Sequence, residues 1–108
     1  RVAIARTLIN EPDIVLMNEP FGALDSQTRS HLQTFLLQVW QQSKTTILFI
    51  THNIDEAVFL SQRVVGLSRR PGTIALSLAI HLDYPRDITS DAFNHYRREI
   101  ITFLDKQY

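Results

Sequence analysis

The chain of 108 residues contains no cysteine, which excludes disulfide bonds, cysteine-ligated metals and a thiol nucleophile. It also has no long apolar run, since stretches such as Ile47–Ile50 and Val64–Leu67 are far shorter than the roughly 20 residues that span a bilayer. A formal net charge of zero gives no electrostatic reason to expect a nucleic acid or an acidic lipid as a partner. These absences indicate a soluble intracellular protein.

Glycine and methionine are scarce as well. The chain has three scattered glycines: Gly22, Gly66 and Gly72. They form no glycine-rich loop ending in Gly-Lys-Ser or Gly-Lys-Thr, the motif that cradles nucleotide phosphates. The one methionine is Met17, and the chain opens at Arg1 inside a helical pattern. We therefore interpret the sequence as a fragment, with the length of one small globular domain.

Short apolar segments alternate with helical patterns along the chain. Asp13–Met17 and Thr45–Ile50 are continuous apolar or β-branched runs, which predicts two strands buried on both faces. Arg63–Ser68 and Thr73–Ile80 flank Pro71-Gly72, a pair that favours a hairpin turn. This order predicts an α/β fold with a mainly parallel sheet, flanking helices, and a C-terminal hairpin and helix.

Helical periodicity is clearest between the first two strands. Apolar residues at i, i+3, i+4, i+7 and i+8 predict one buried stripe: Leu32, Phe35, Leu36, Val39 and Trp40. Asp25 and Ser26 are suitable caps for the start of this helix.

Two further helices are predicted later in the chain. Asn53 with Glu56 three residues on resembles a capping box, which opens a short helix through Leu60. The polar stretch Asp83–Thr89 predicts a linker that leads to a terminal helix over residues 90–107.

The first candidate site is the pair Asn18 and Glu19, which ends the first apolar strand. The carboxyl edge of a parallel sheet is where open α/β folds bind ligands. A carboxylate delivered there can act as a base beside a metal-bound nucleotide. The alternative is that both residues only begin a surface turn.

Asp25 and His52 are two more polar residues near predicted element boundaries. Asp25 has the simpler interpretation of a helix N-cap. His52 follows the second strand, where it either has a structural role or donates a hydrogen bond to a phosphate or a backbone carbonyl.

The segments LMNEP, GALD and ITHNIDEA, in this order, resemble the second half of the nucleotide-binding domain of ABC transporters. The resemblance covers essentially the whole chain. It matches Ile14–Glu19 to the Walker B motif, Ala23–Asp25 to the D-loop and His52 to the switch histidine. Arg1–Arg6 resembles the helix that follows the family's signature sequence.

The resemblance implies a nucleotide site with ATP and Mg²⁺ as cofactors, formed by Asn18, Glu19, Asp25 and His52. Glu19 would be the general base, His52 would contact the γ-phosphate, and Asp25 would lie at a dimer interface. Residues 1–108 would be the C-terminal part of a P-loop NTPase domain that lacks the Walker A loop, the Q-loop and the signature motif. Such a fragment is expected to be inactive alone.

Asn18 departs from the family pattern, which has aspartate before the catalytic glutamate. That aspartate helps to hold Mg²⁺, usually through a coordinated water. Asparagine keeps an oxygen acceptor but removes a negative charge, and hard cations favour carboxylates. Weaker Mg²⁺ binding and slower hydrolysis are therefore expected.

The C-terminal third resembles the nitrate, sulfonate and taurine importer branch, in Leu67–Ile74, Asp87–Ser90 and Tyr96–Ile100. A simpler interpretation of Arg69 and Arg70 is a solvated hairpin end.

The resemblance thus implies the ATPase subunit of an importer, peripheral on the cytoplasmic face of the cell membrane. Its expected partners are a second copy of the subunit, transmembrane permease subunits and, indirectly, a solute-binding protein, but no nucleic acid. One alternative is a non-enzymatic fragment or degenerate subunit, which Asn18 and the missing phosphate-binding loop favour. Another is a soluble ABC-type ATPase acting on DNA or ribosomes. Neighbouring permease and binding-protein genes would favour import.

Overall fold

The computed structural model describes residues 6, 8, 10, 12–69 and 72–107. The chain folds as two compact units, residues 1–52 and 53–108. Most of the predicted opening helix lies outside the described residues, although Arg6 and Leu8 are helical and Leu8 is buried. Within the described part of the chain, no helix combines the length and apolar character needed to cross a bilayer.

The first unit has a strand–helix–strand order: β1 (Ile14–Asn18), α1 (Ser26–Gln41) and β2 (Thr46–Ile50). The two strands pair in parallel, with Ile14 opposite Thr46 and Asn18 opposite Ile50. Because a helix connects them, both strands run the same way and end at the same edge of the sheet. This pairing agrees with the parallel arrangement expected from the sequence.

One face of this two-stranded sheet lies in solvent. Ile14 and Leu16 of β1 are 70% and 65% exposed, and Leu48 and Ile50 of β2 are 60% and 50% exposed. Alternate residues of a strand point to opposite faces, so the intervening side chains are the half-buried ones. The prediction that both strands are buried on both faces is therefore wrong for this chain. A continuous apolar run cannot show which of its two faces is covered.

The buried face of α1 is centred about one residue further along the sequence than the predicted apolar stripe. Gln33, Leu36 and Leu37 are buried, whereas four members of the predicted stripe are half-buried. The apolar arc of this helix is broad, so spacing alone does not locate its centre. The indole of Trp40 donates a hydrogen bond to the carbonyl of Thr45, 3.0 Å away, which ties the end of α1 to the start of β2.

The described residues of the second unit form four elements: α2 (Ile54–Leu60), β3 (Arg63–Leu67), β4 (Ile74–Ala79) and α3 (Asp91–Gln107). The Oδ1 atom of Asn53 accepts a hydrogen bond from the backbone N–H of Glu56 at 3.0 Å, so Asn53 caps α2 as predicted. Strands β3 and β4 pair antiparallel. Gly72 has a φ of 80°, a left-handed conformation that glycine adopts without steric cost. Arg70 and Pro71 of the predicted turn lie outside the described residues.

The prediction of a mainly parallel sheet is wrong. The described strands form two separate two-stranded sheets, one parallel and one antiparallel. The reason is the length of the connections: a short turn can join only antiparallel strands, whereas a parallel pair needs a crossover such as α1. The coarser prediction, an α/β fold with a C-terminal hairpin and helix, agrees with the structure.

The core of the second unit is formed by Val58, Ile80, Phe93 and Ile100. The predicted linker before α3 packs against this unit through Arg86, which is buried. Its guanidinium donates to the carbonyls of Val58 (2.7 Å) and Ser61 at the C-terminal end of α2. A cation there compensates the partial negative charge of the last helical carbonyls. The segment is therefore part of the packed unit rather than a solvated spacer.

Gly66 of β3 lies directly against the ring of Phe103 in α3. A Cβ atom at Gly66 would come within 2.5 Å of Phe103 Cε2 and 3.1 Å of Leu76 Cβ. We expect Gly66→Ala to lower the free energy of unfolding by about 1–3 kcal/mol, the usual cost of overpacking. The denaturant midpoint of the two proteins would measure this loss.

Gly22→Ala is the matched control, because its Cβ would meet no atom closer than 3.5 Å. An equal midpoint for the two variants would contradict the close packing of Phe103 on β3.

Candidate functional site

The carboxyl edge of the parallel sheet brings two predicted residues together. Glu19 follows β1 and His52 lies two residues beyond the end of β2, and the two strands end side by side. His52 Nε2 lies 3.1 Å from Glu19 Oε1, within hydrogen-bond distance. The His52 side chain is 91% exposed and that of Glu19 41%, so both groups are open to a ligand from solvent.

Glu19 has a left-handed backbone conformation, with φ of 46°. For a residue with a Cβ atom this conformation costs about 1–2 kcal/mol. Two hydrogen bonds maintain it: the N–H of Glu19 donates to the carbonyl of Ile50 (2.7 Å), and the N–H of Gly22 donates to the carbonyl of Glu19 (3.1 Å). The chain thus turns sharply at the residue that carries the carboxylate. Strained backbone of this kind is frequent at functional sites.

Asp25 has the geometry of a helix cap. Its carboxylate accepts hydrogen bonds from the N–H of Thr28 (2.9 Å) and the hydroxyl of Thr28 (3.0 Å). These bonds, the backbone one first, lower the pKa of Asp25. The cap therefore stabilises the fold above the ordinary pKa of an aspartate, and this contribution is lost as pH falls through the lowered value. Among the described contacts, none joins Asp25 to Glu19 or His52.

Asn18 is the last residue of β1 and is exposed at the same edge. Its amide oxygen is of the hard type that Mg²⁺ accepts. Within the described residues, no group of three or more His, Cys, Asp or Glu could hold a metal ion. The residues here therefore fit Mg²⁺ only where phosphate oxygens and waters complete its octahedral shell.

The hydrogen bonds of one side chain near this edge, Arg29, were not predicted from the sequence. Arg29, in the first turn of α1, donates hydrogen bonds to the carbonyls of Phe21 and Leu24 in the loop between β1 and α1. Its only sequence signal is a position four residues after the cap Asp25, which does not show where a long side chain turns. The structure alone reveals it.

Known proteins align with nearly the whole chain. An uncharacterized ABC transporter ATP-binding protein of Methanocaldococcus jannaschii is 58% identical over 104 residues, covering 96% of this chain and 39% of that protein. The aliphatic sulfonates import ATP-binding protein of Bacillus cereus is 52% identical over 106 residues, covering 98% and 42%. The nitrate import ATP-binding protein of Synechocystis sp. is 48% identical over 99 residues, covering 92% and 37%.

No family model matches the chain. The chain spans about two fifths of the length of the relatives it matches, at identities of 58%, 52% and 48%. Over most of its own length, the chain is therefore homologous to ABC transporter ATP-binding proteins.

Proposed function

We propose that this chain forms part of the ATP-hydrolysing subunit of an ABC-type importer. The observation that carries the proposal is the Glu19–His52 pair, 3.1 Å apart at the carboxyl edge of a parallel sheet. Two polar side chains that meet at this edge can face the terminal phosphate of a nucleotide and the water that attacks it.

The geometry of the pair suits general base catalysis. Glu19 Oε1 lies 3.1 Å from His52 Nε2, and the second carboxylate oxygen, Oε2, can accept a hydrogen bond from a water molecule. The carboxylate orients this water and takes its proton while the water oxygen attacks the γ-phosphorus of ATP. A new phosphorus–oxygen bond forms, and the bond to the bridging oxygen breaks and leaves its electron pair on ADP. The exposed imidazole of His52 is free to turn towards the γ-phosphate.

Mg²⁺ and the D-loop complete the proposed site. When bound, Mg²⁺ offsets the negative charge on the phosphate oxygens. Asn18 is the residue that would hold it, through its amide oxygen or a bound water. Asp25 caps α1 in the described contacts, and we propose that it also lies at the interface with a second copy of the subunit.

The relatives suggest the class of solute. The Bacillus cereus protein is named for aliphatic sulfonates and the Synechocystis protein for nitrate. Both solutes are small oxyanions, and we propose that the importer served by this chain takes up a solute of that class. The proposed partners are transmembrane permease subunits and, indirectly, a solute-binding protein, with the ATPase peripheral on the cytoplasmic face of the membrane.

Asn18 also favours a second candidate, a degenerate subunit that binds nucleotide but hydrolyses it poorly. The two candidates differ in one measurement, phosphate release by the full-length subunit in the presence of its permease. Sustained MgATP turnover supports the importer ATPase, whereas nucleotide binding without turnover supports the degenerate subunit.

The 108-residue chain alone is expected to bind MgATP more weakly than micromolar and not to turn it over. Its sequence contains no glycine-rich loop ending in lysine, whose backbone amides and ammonium group supply most charge-assisted phosphate contacts. Calorimetric titration of the chain with MgATP measures this, with the full-length subunit as the control. Micromolar affinity of the chain alone would refute the expectation.

A further inference from the structure

The loop between β1 and α1 begins at Glu19 and ends at Asp25, so it joins two proposed site residues. Two backbone hydrogen bonds shape it: Gly22 N–H to the carbonyl of Glu19 (3.1 Å) and Leu24 N–H to the carbonyl of Phe21 (3.3 Å). Phe21 is 1% exposed, so the middle of the loop is anchored by a buried ring.

Arg29 adds a clamp from the helix side. Its Nη2 donates to the carbonyl of Leu24 at 2.8 Å and its Nε donates to the carbonyl of Phe21 at 3.3 Å. The rigid, planar guanidinium fork presents these donors on two nitrogen atoms in a fixed geometry, whereas lysine has a single donor nitrogen on a flexible stem. Hydrogen bonds from a charged donor are roughly twice as strong as neutral ones.

The guanidinium of Arg29 interacts with backbone carbonyls. Among the described residues, the ion pairs involve other side chains, and none includes Arg29. The side chain is half-buried, which reduces competition from water for its two bonds. The clamp thus fixes the chain on both sides of Gly22, three residues beyond the strained backbone of Glu19.

We propose that Arg29 is a positioning residue for ATP hydrolysis, an inference that rests on the function proposed above. It holds the loop so that the Glu19 carboxylate stays beside His52 and the Asp25 carboxylate stays in position to cap α1. Arg29 itself contacts neither Glu19 nor His52 in the described contacts, so its effect acts through the loop backbone.

The kinetic test uses Arg29→Met and Arg29→Lys in the full-length subunit. We expect Arg29→Met to lower kcat about tenfold with KM for ATP changed less than twofold, because a small displacement of a catalytic group slows chemistry more than it weakens binding. Arg29→Lys should retain part of the rate. The matched control is Arg63→Met, since Arg63 is exposed and donates to Ser77 Oγ in the hairpin, and its kcat should be unchanged.

The second arm measures amide hydrogen exchange at Gly22 and Leu24 in the 108-residue chain. Arg29→Met should speed exchange at both amides about tenfold, and Arg63→Met should not. Three results for Arg29→Met would overturn the proposal. The first is faster exchange with unchanged kcat, and the second is a raised KM with unchanged kcat. The third is an exchange rate equal to that of the parent chain. A full-length wild-type subunit without any ATP hydrolysis would overturn the proposed function instead, and the exchange arm would still decide whether Arg29 holds the loop.

Discussion

Glu19→Gln in the full-length subunit is expected to abolish ATP turnover while leaving nucleotide binding largely in place. The amide has nearly the shape of the carboxylate but cannot take up a proton from water, and general base catalysis contributes about 10²–10⁴-fold in rate. Glutamine has the same backbone requirements as glutamate, so the left-handed turn at position 19 costs the same in both proteins. Phosphate release and equilibrium ATP binding, measured in parallel, separate the two effects.

The terminal helix offers a matched control for this substitution. His95 Nε2 lies 3.2 Å from Glu99 Oε1, so Glu99→Gln makes the same chemical change in a second histidine–glutamate pair. That variant should hydrolyse ATP at the parent rate. Turnover retained by Glu19→Gln, or lost equally by Glu99→Gln, would show that Glu19 is not the general base.

Asn18→Asp is expected to raise ATP hydrolysis and to lower the Mg²⁺ concentration needed for half-maximal rate. A carboxylate at the end of β1 would add a negative charge beside the proposed Mg²⁺. Such a contact is worth about 1.5–3 kcal/mol, the range for hydrogen bonds to charged groups. At about 1.36 kcal/mol per tenfold in rate, this predicts a gain of roughly one to two decades if the contact acts in the transition state. The assay is ATP turnover across a Mg²⁺ titration.

Asn10→Asp is the control for the added charge, because Asn10 is exposed and belongs to no proposed site. It should leave both the rate and the Mg²⁺ dependence unchanged. If Asn18→Asp behaves like Asn10→Asp, position 18 has no metal role. A large gain would also show that Asn18, rather than a lost base, limits the proposed ATP hydrolysis by the parent subunit.

Local chemistry was sufficient to predict several features. Asp25 and Asn53 cap α1 and α2 because a short polar side chain before an apolar helical pattern satisfies the free N–H groups of the first turn. Glu19 and His52 were each predicted as site residues, and the structure shows that they meet because two parallel strands joined by a helix end at one edge. These features depend only on residues that are close in sequence or on one strand–helix–strand connection.

Other features were decided only in the tertiary structure. Leu16 and Leu48 are exposed because one face of the sheet is uncovered. A continuous apolar run in the sequence does not distinguish a strand covered on one face from a strand covered on both. The buried side of α1 likewise depends on its packing partners. The positive φ of Glu19 and the Arg29 clamp depend on hydrogen bonds to carbonyls whose positions exist only once the loop has closed. Sequence therefore determined the caps of the helices and which polar residues follow the two parallel strands. Packing determined which of these residues meet and how they are held, because long side chains and strained backbone take their conformation from contacts that local propensity does not encode.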